Sequence, residues 1–340
     1  MIIDLRSDTI TKPTKGILDA MMNAKVGDDV YKEDETINAL EEKIAKQFGK
    51  SHALFFPTGT MANQAAIKLH TQPGDQVICD KYAHIFNYEG GGASFNSGVS
   101  CRLLDGNRGM FTAQQVIEAI NPPDFYHSPL TTLVEIENTT NKGGGACWDF
   151  EEIKKIRQVC DQHKLGLHLD GARLWNALIA KNENPLDYGK QFDTISVCLS
   201  KGLGCPVGSV LVGDEAFMEK AIRIRKIFGG GMRQAGFLAA AGIYALDHQY
   251  ERLADDNLKA KQLGDLLEKQ DYIKKVEPVE TNIVIFELNE KFTQKQFNDK
   301  MKHHQVRLSD MGQGKQRIVT HHDYTDVMHE TFCEVLVGLD

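Results

Sequence analysis

The chain has 340 residues, a formal net charge of −8, 41% hydrophobic residues and 25% charged residues. That composition is ordinary for a globular protein of about two domains and excludes disordered or collagen-like chains. The acidic balance argues against nucleic acid and anionic membranes as partners, yet leaves room for one small anion held by a local cation cluster. Seven cysteines with no C-x-x-C pair argue against a disulfide framework or zinc ribbon and fit a cytoplasmic protein. The opening MIIDLRSDTITKP is not expected to be a signal peptide. The longest uncharged apolar-rich run, 234–246, is shorter than the roughly 20 residues a membrane helix needs.

The first 35 residues read as irregular, with Gly27, Asp28 and Asp29 in a polar turn. Ile37, Leu40, Ile44 and Phe48 then recur at helical spacing, and Gly49 closes the helix. Residues 53–56 form an apolar strand stopped by Pro57. Thr58, Gly59 and Thr60 open the next helix, with Thr60 expected as its cap. Strands follow at 76–79 and 132–136, and an amphipathic helix capped by Asp149 at 150–164. Strands at 165–170, 194–200 and 208–212 precede helices at 215–227 and 234–246. After residue 250 the pattern is helix (250–270), strand (282–288), helix (293–303), strands (306–308 and 317–320) and helix (325–337). This alternation predicts an α/β fold. A large domain, 1–250, has a mostly parallel central sheet flanked by helices. A smaller α+β domain spans 251–340.

Two strand ends carry the chemistry. In Leu165-Gly-Leu-His-Leu-Asp170, the acid lies where open α/β sheets bind ligands. Lys201 follows a second apolar strand, where partial desolvation favours the neutral amine that a Schiff base requires. An acid and a lysine so placed match pyridoxal phosphate chemistry, in which the lysine bonds the aldehyde and the acid pairs with the pyridinium nitrogen. The Thr58-Gly59-Thr60 turn offers backbone N–H groups to a phosphate. Arg223, Arg225, Lys226, Gly229-Gly-Gly231 and Arg233 form a basic, glycine-rich patch suited to a phosphate or a subunit contact. His303-His304 and His321-His322 lack the spacing of a metal site, and no metal is expected.

The chain resembles the low-specificity L-threonine aldolases, pyridoxal-phosphate enzymes of the aspartate-aminotransferase fold type. The resemblance rests on Asp4-Leu-Arg-Ser-Asp-Thr9, Val26-Gly-Asp-Asp-Val-Tyr31, Pro57-Thr-Gly-Thr60, Glu137-Asn-Thr139, Leu167-His-Leu-Asp-Gly-Ala-Arg173, Cys198-Leu-Ser-Lys-Gly-Leu-Gly204 and Gly229-Gly-Gly-Met-Arg-Gln234. It implies that Lys201 bears the cofactor, Asp170 pairs with its ring nitrogen, and His84 stacks on the ring. Gly59 and Thr60 would bind the phosphate. Arg173 would contact the cofactor's phenolate oxygen or the substrate carboxylate, which Ser7 and Arg317 would hold. Tyr31, Lys226 and Arg233 would reach a neighbouring subunit's site, implying a tetramer of catalytic dimers.

Two departures stand out. The family's Glu-Asn-Thr-His-Asn reads Glu137-Asn-Thr-Thr-Asn141 here. The family's second active-site histidine aligns with His127, or with Tyr126 if the extra residue is placed differently. The expected reaction is cleavage of L-threonine or L-allo-threonine to glycine and acetaldehyde, with His84 or His127 as base. β-Elimination and amino-acid racemisation are the alternatives within the fold, and a non-catalytic oligomer the alternative outside it.

Overall fold

The structure, a computed structural model, describes residues 1–339. Its strands in chain order are β1 (Ile3–Asp4), β2 (His52–Phe56), β3 (Gln76–Asp80), β4 (Ser100–Leu104), β5 (Thr131–Glu137), β6 (Gly166–Gly171), β7 (Thr194–Cys198), β8 (Ser209–Gly213), β9 (Ile273–Val276), β10 (Ile283–Leu288), β11 (Val306–Arg307), β12 (Ser309–Gly312) and β13 (Lys315–Val319). Seven build the central sheet in the order β2-β8-β7-β6-β5-β3-β4. β8 runs antiparallel to both of its neighbours, and the remaining pairings are parallel. Helices cover both faces, so β3, β7 and β8 are buried at every position and read as continuous apolar runs rather than alternating ones.

Caps set the helix ends that matter for the site. Gly49 closes Glu35–Phe48 in the left-handed region at φ 64°, and Asp149 caps Phe150–His163. The helix Gly59–His70 is capped by Thr58, whose hydroxyl accepts from the Met61 amide, and not by Thr60. A threonine inside the first turn has helical backbone angles and cannot cap, so the expectation for Thr60 is corrected.

A second body holds the four-stranded antiparallel sheet β12-β13-β10-β9 under the helices Leu253–Leu267, Gln294–His303 and Asp326–Val337. Tyr272, Phe286, Phe297 and Phe332 form its core. The start of the chain belongs to this core. β1 pairs in parallel with β11, and Ile3 and Leu5 pack among its apolar residues.

Several expectations need correction. The first 35 residues contain a helix, Lys15–Met22, which buries only Ile17 and so leaves no periodic stripe to read. Strand β7 ends at Cys198, because the chain turns through Leu199–Gly204 to place Lys201. Arg225 does not belong to the basic patch with Arg223, Lys226 and Arg233. It is buried, donating to the Phe55 carbonyl at 2.8 Å and to Asp29 at 2.7 Å. No helix among the described residues is long and apolar enough to cross a membrane.

Candidate active site

Beyond the C-terminal ends of β5, β6 and β7 lie two cavities of about 290 and 530 Å³. Both are lined by Thr9, His84, Ala172 and Lys201. They therefore meet at the lysine and the histidine. The position follows from topology, since the carboxyl ends of parallel strands leave a crevice at the sheet edge.

Asp170 forms the floor of the smaller cavity and is buried. One carboxylate oxygen accepts from the Ala172 amide at 3.0 Å and the other from Asn63 Nδ2 at 2.8 Å. Asn63 is itself fixed by Ser196, 2.6 Å from its carbonyl oxygen, and by His168 Nε2 at 3.3 Å. His168 shares a strand face with Asp170, as alternation requires, and is locked by Thr194. Burial and neighbouring His70 pull the His168 pKa down to about 4, so it is neutral and acts as a spacer.

Opposite Asp170 stands the N-terminus of Gly59–His70, a twelve-residue helix whose first amides have no intrahelical acceptor. Gly59, Thr60 and Ser200 line the same cavity, together with Ser209, whose hydroxyl already donates to the Val197 carbonyl at 2.8 Å. A dianionic phosphate fits this set of donors and the positive end of the helix dipole. An acid, an amine and a phosphate cradle around one cavity are what pyridoxal phosphate requires, so the residues fit that group.

The larger cavity is lined by Ser7, Arg173 and Arg317, brought together from three distant parts of the chain. Arg173 forms a buried two-pronged pair with Asp8, at 2.8 and 2.7 Å. Burial pushes the Asp8 pKa up, but Arg173, with Lys201 beyond it, pulls it down to about 2. Arg317 donates to Asn141 at 2.7 Å and to the Arg6 carbonyl at 3.1 Å, while its Nε is buried without a partner. Burial and the adjacent Arg173 lower the Arg317 pKa. Two guanidiniums side by side, one with an unmet donor, call for an anion the size of a carboxylate.

Three acids here received no role from the sequence: Glu89, Glu135 and Glu137, the last of which stands only as part of a motif. Glu137 accepts from the His84 and Asn141 amides, both at 2.7 Å, and so links the histidine turn to the residue that holds Arg317. Burial, with Asp170 nearby, raises its pKa to about 7 against those hydrogen bonds. Glu135 is fully buried with both oxygens unpartnered, and burial holds its pKa far above the usual carboxylate range. Nothing local in the sequence marks these residues, because a buried acid on a strand looks like any other charged residue until the fold encloses it.

Four candidates stay outside the cavities. His127 lies exposed between the helix Ala113–Ala119 and β5, its ring 4.0 Å from that of Tyr126. Tyr31 is 71% exposed, Lys226 is exposed, and the exposed Arg233 pairs with Asp28 at 2.8 Å. Thr140, the departure from the family pattern, lines neither cavity, and its hydroxyl donates to the Arg108 carbonyl at 2.8 Å.

The family model described as "Beta-eliminating lyase" matches residues 4–291. The low-specificity L-threonine aldolase 1 of Arabidopsis thaliana is 40% identical over 341 residues, covering 97% of this chain and 95% of that one. The chain belongs to the low-specificity L-threonine aldolase family. Another member, from Escherichia coli (strain K12), is 42% identical over 267 residues, covering 78% of this chain and 79% of its own. The family fold recurs in a solved threonine aldolase structure from Leishmania major. That structure matches at a TM-score of 0.85 and 23% identity, covering 98% of both chains.

Proposed function

We propose that this aldolase-family chain cleaves L-threonine and L-allo-threonine, reversibly, to glycine and acetaldehyde, with pyridoxal 5′-phosphate as cofactor. The observation that carries the reading is one cavity with Lys201 and Asp170 opening at His84 onto a second with Arg317, Arg173 and Ser7. When bound, the cofactor supplies an electron-accepting ring that stabilises the negative charge left at Cα.

The chain's own residues do the rest. Gly59 and Thr60 hold the phosphate, Asp170 keeps a proton on the ring nitrogen, and Lys201 anchors the aldehyde carbon. Arg317 and Ser7 hold the substrate carboxylate, which fixes rotation at Cα. His84 takes the β-hydroxyl proton as the Cα–Cβ bond breaks and acetaldehyde forms. A proton returned to Cα completes glycine. General-base help of this kind is typically worth about 10²–10⁴-fold.

Lys201→Ala is the test. The wild-type protein is expected to absorb at the edge of the visible and to release glycine from L-threonine. The variant loses turnover by at least about 10³-fold, together with the borohydride-trapped adduct. A reducible adduct surviving in the variant overturns the role of Lys201. Pyruvate or 2-ketobutyrate with ammonia, in place of glycine, moves the reading to β-elimination, and interconversion of enantiomers moves it to racemisation.

The proposal extends to assembly. Residues 1–250 act as the cofactor domain, with an N-terminal arm whose first strand packs in the second body, and 251–340 as the smaller domain that brings Arg317. Tyr31, Lys226 and Arg233, exposed and outside their own chain's cavities, serve a neighbour in a tetramer of catalytic dimers, and exposed His127 is available to a neighbour in the same way. A cytoplasmic place in glycine biosynthesis suits this chemistry. Mixing Lys201→Ala with Arg233→Ala chains restores part of the activity if sites are shared, and restores none if each chain works alone.

A further inference from the structure

We propose that Glu89 is a positioning residue for the reaction, holding the His84 ring in the one tautomer that turns a free Nε2 to the shared cavity. The inference rests on the aldolase reading above and assigns a role to an acid which that reading leaves unused.

Glu89 follows the short helical turn His84–Asn87, and its carboxylate is completely buried. One oxygen lies 2.9 Å from His84 Nδ1 and accepts from Asn63 Nδ2 at 2.9 Å. The other accepts from Gln64 Nε2 at 2.6 Å. A carboxylate can only accept, so Nδ1 carries the proton and Nε2 is left as the basic nitrogen. Nε2 has no partner among the described residues, and the ring lines both cavities. A buried carboxylate costs more than a buried amide. A structural brace would be made more cheaply by glutamine, so the charge itself has a use.

The support is rigid on both sides. A Cβ at Gly92 would stand 2.6 Å from the Gln64 side chain, so the chain after Glu89 packs directly on the amide that holds its second oxygen. Asn63 Nδ2 reaches Asp170 as well as Glu89, placing the acid beneath the cofactor cavity and the acid behind His84 on one amide group. The titratable and charged groups around His84 are Glu89 and Tyr88 on its own segment, Asp170 on β6, Glu137 on β5, Lys201 across the cavity, and Lys142, Arg173 and Arg317 in the larger cavity. Burial alone would lower the His84 pKa, but the Glu89 hydrogen bond and the charges of Asp170, Glu89 and Glu137 raise it. Glu89 thus makes His84 a stronger base and aims it.

Glu89→Gln separates charge from shape, because its carbonyl oxygen can still accept from His84 and Asn63. Two readouts apply to the holoenzyme: ¹⁵N-histidine NMR titration, assigned with His84→Asn, and the pH profile of kcat/KM for L-threonine. The expected result is a His84 pKa lower by about one unit or more, with the acid limb of the profile shifted equally. In addition, kcat falls by about 10–100-fold while KM stays within about threefold. Glu89→Leu leaves Nδ1–H unpaired, and its spectrum shows both tautomers. If Glu89→Gln fails to fold, Gln64→Leu removes a donor from the carboxylate, strengthens its pull on His84 and moves the acid limb upward. Titration curves and limbs that superimpose on the wild type overturn the proposal. A wild-type enzyme that releases no glycine overturns the aldolase reading instead, and the NMR titration still decides the role of Glu89.

Discussion

The two ends of the site are built on opposite plans. Around Asp170, Asn63 and His168, the groups come from β6, β7 and one helix of the central sheet, and their hydrogen bonds are already made. Around Arg317, the groups come from residue 7, residue 173 and β13, and a guanidinium nitrogen is left waiting. The first region resembles a finished core that a flat ring slides against. The second is finished by the substrate. Fixed dipoles cost no reorganisation at the moment of reaction, whereas unmet donors reserve their binding energy for a ligand with the right charge.

Breaking the unfinished end is expected to show in binding. Arg317→Leu should raise KM for L-threonine by about 10²-fold, the size expected when a charge-assisted pair is removed. Steady-state kinetics check this, and an unchanged KM would remove Arg317 from the substrate carboxylate. Asp8 aims Arg173 through their two-pronged pair. Asp8→Asn should raise KM by about 10-fold. It also reports on stability. The Asp8 pKa of about 2 lies below the ordinary 3.8, so its stabilisation is complete above the ordinary value and is lost as pH falls toward 2. Thermal melts of the wild type should therefore fall steeply across that window, and those of the variant less so. Parallel melting curves would show that Arg173 does not hold Asp8 ionised.

The smallest effect comes from beside the finished end, at Glu135, which faces His168 across the β5–β6 pairing with both oxygens unpartnered. Glu135 folds with its proton retained, so above its unfolded pKa near 4.5 the folded state holds a proton the unfolded chain has released. That penalty grows as pH rises. Glu135→Gln should melt a few degrees higher than wild type at pH 8, with the gap closing near pH 4. A gap that persists at pH 4 would mean the carboxyl is satisfied in some other way.

Legibility followed the same division. Asp170 and Lys201 could be read because each ends an apolar strand, and a polar residue at that point stands out. Gly59 could be read because a strand-to-helix turn has few uses. Arg317 came only with the family resemblance, since nothing near β13 announces a ligand. The roles of Asp8, Asn63, Glu89 and Glu137 were hidden, although Asp8 and Glu137 stand in motifs that carry the resemblance. Their partners lie 165 residues away for Asp8 and 107 for Asn63, and no local spacing encodes such pairs. The Thr58 cap was misread by two positions because both threonines suit a helix start, and only backbone angles separate them.

The pairing of β1 with β11 has a bearing on how the enzyme is made. Leu5 accepts from the Val319 amide at 2.9 Å, two residues beyond Arg317. A chain emerging from the ribosome amino end first must keep Ser7 and Asp8 unplaced until nearly all of it has been synthesised. The central sheet can form early, but the carboxylate end closes last. Trimming the first half-dozen residues, which removes Ile3 and Leu5 from the second core, should therefore loosen that body and the carboxylate end together while leaving the central sheet intact.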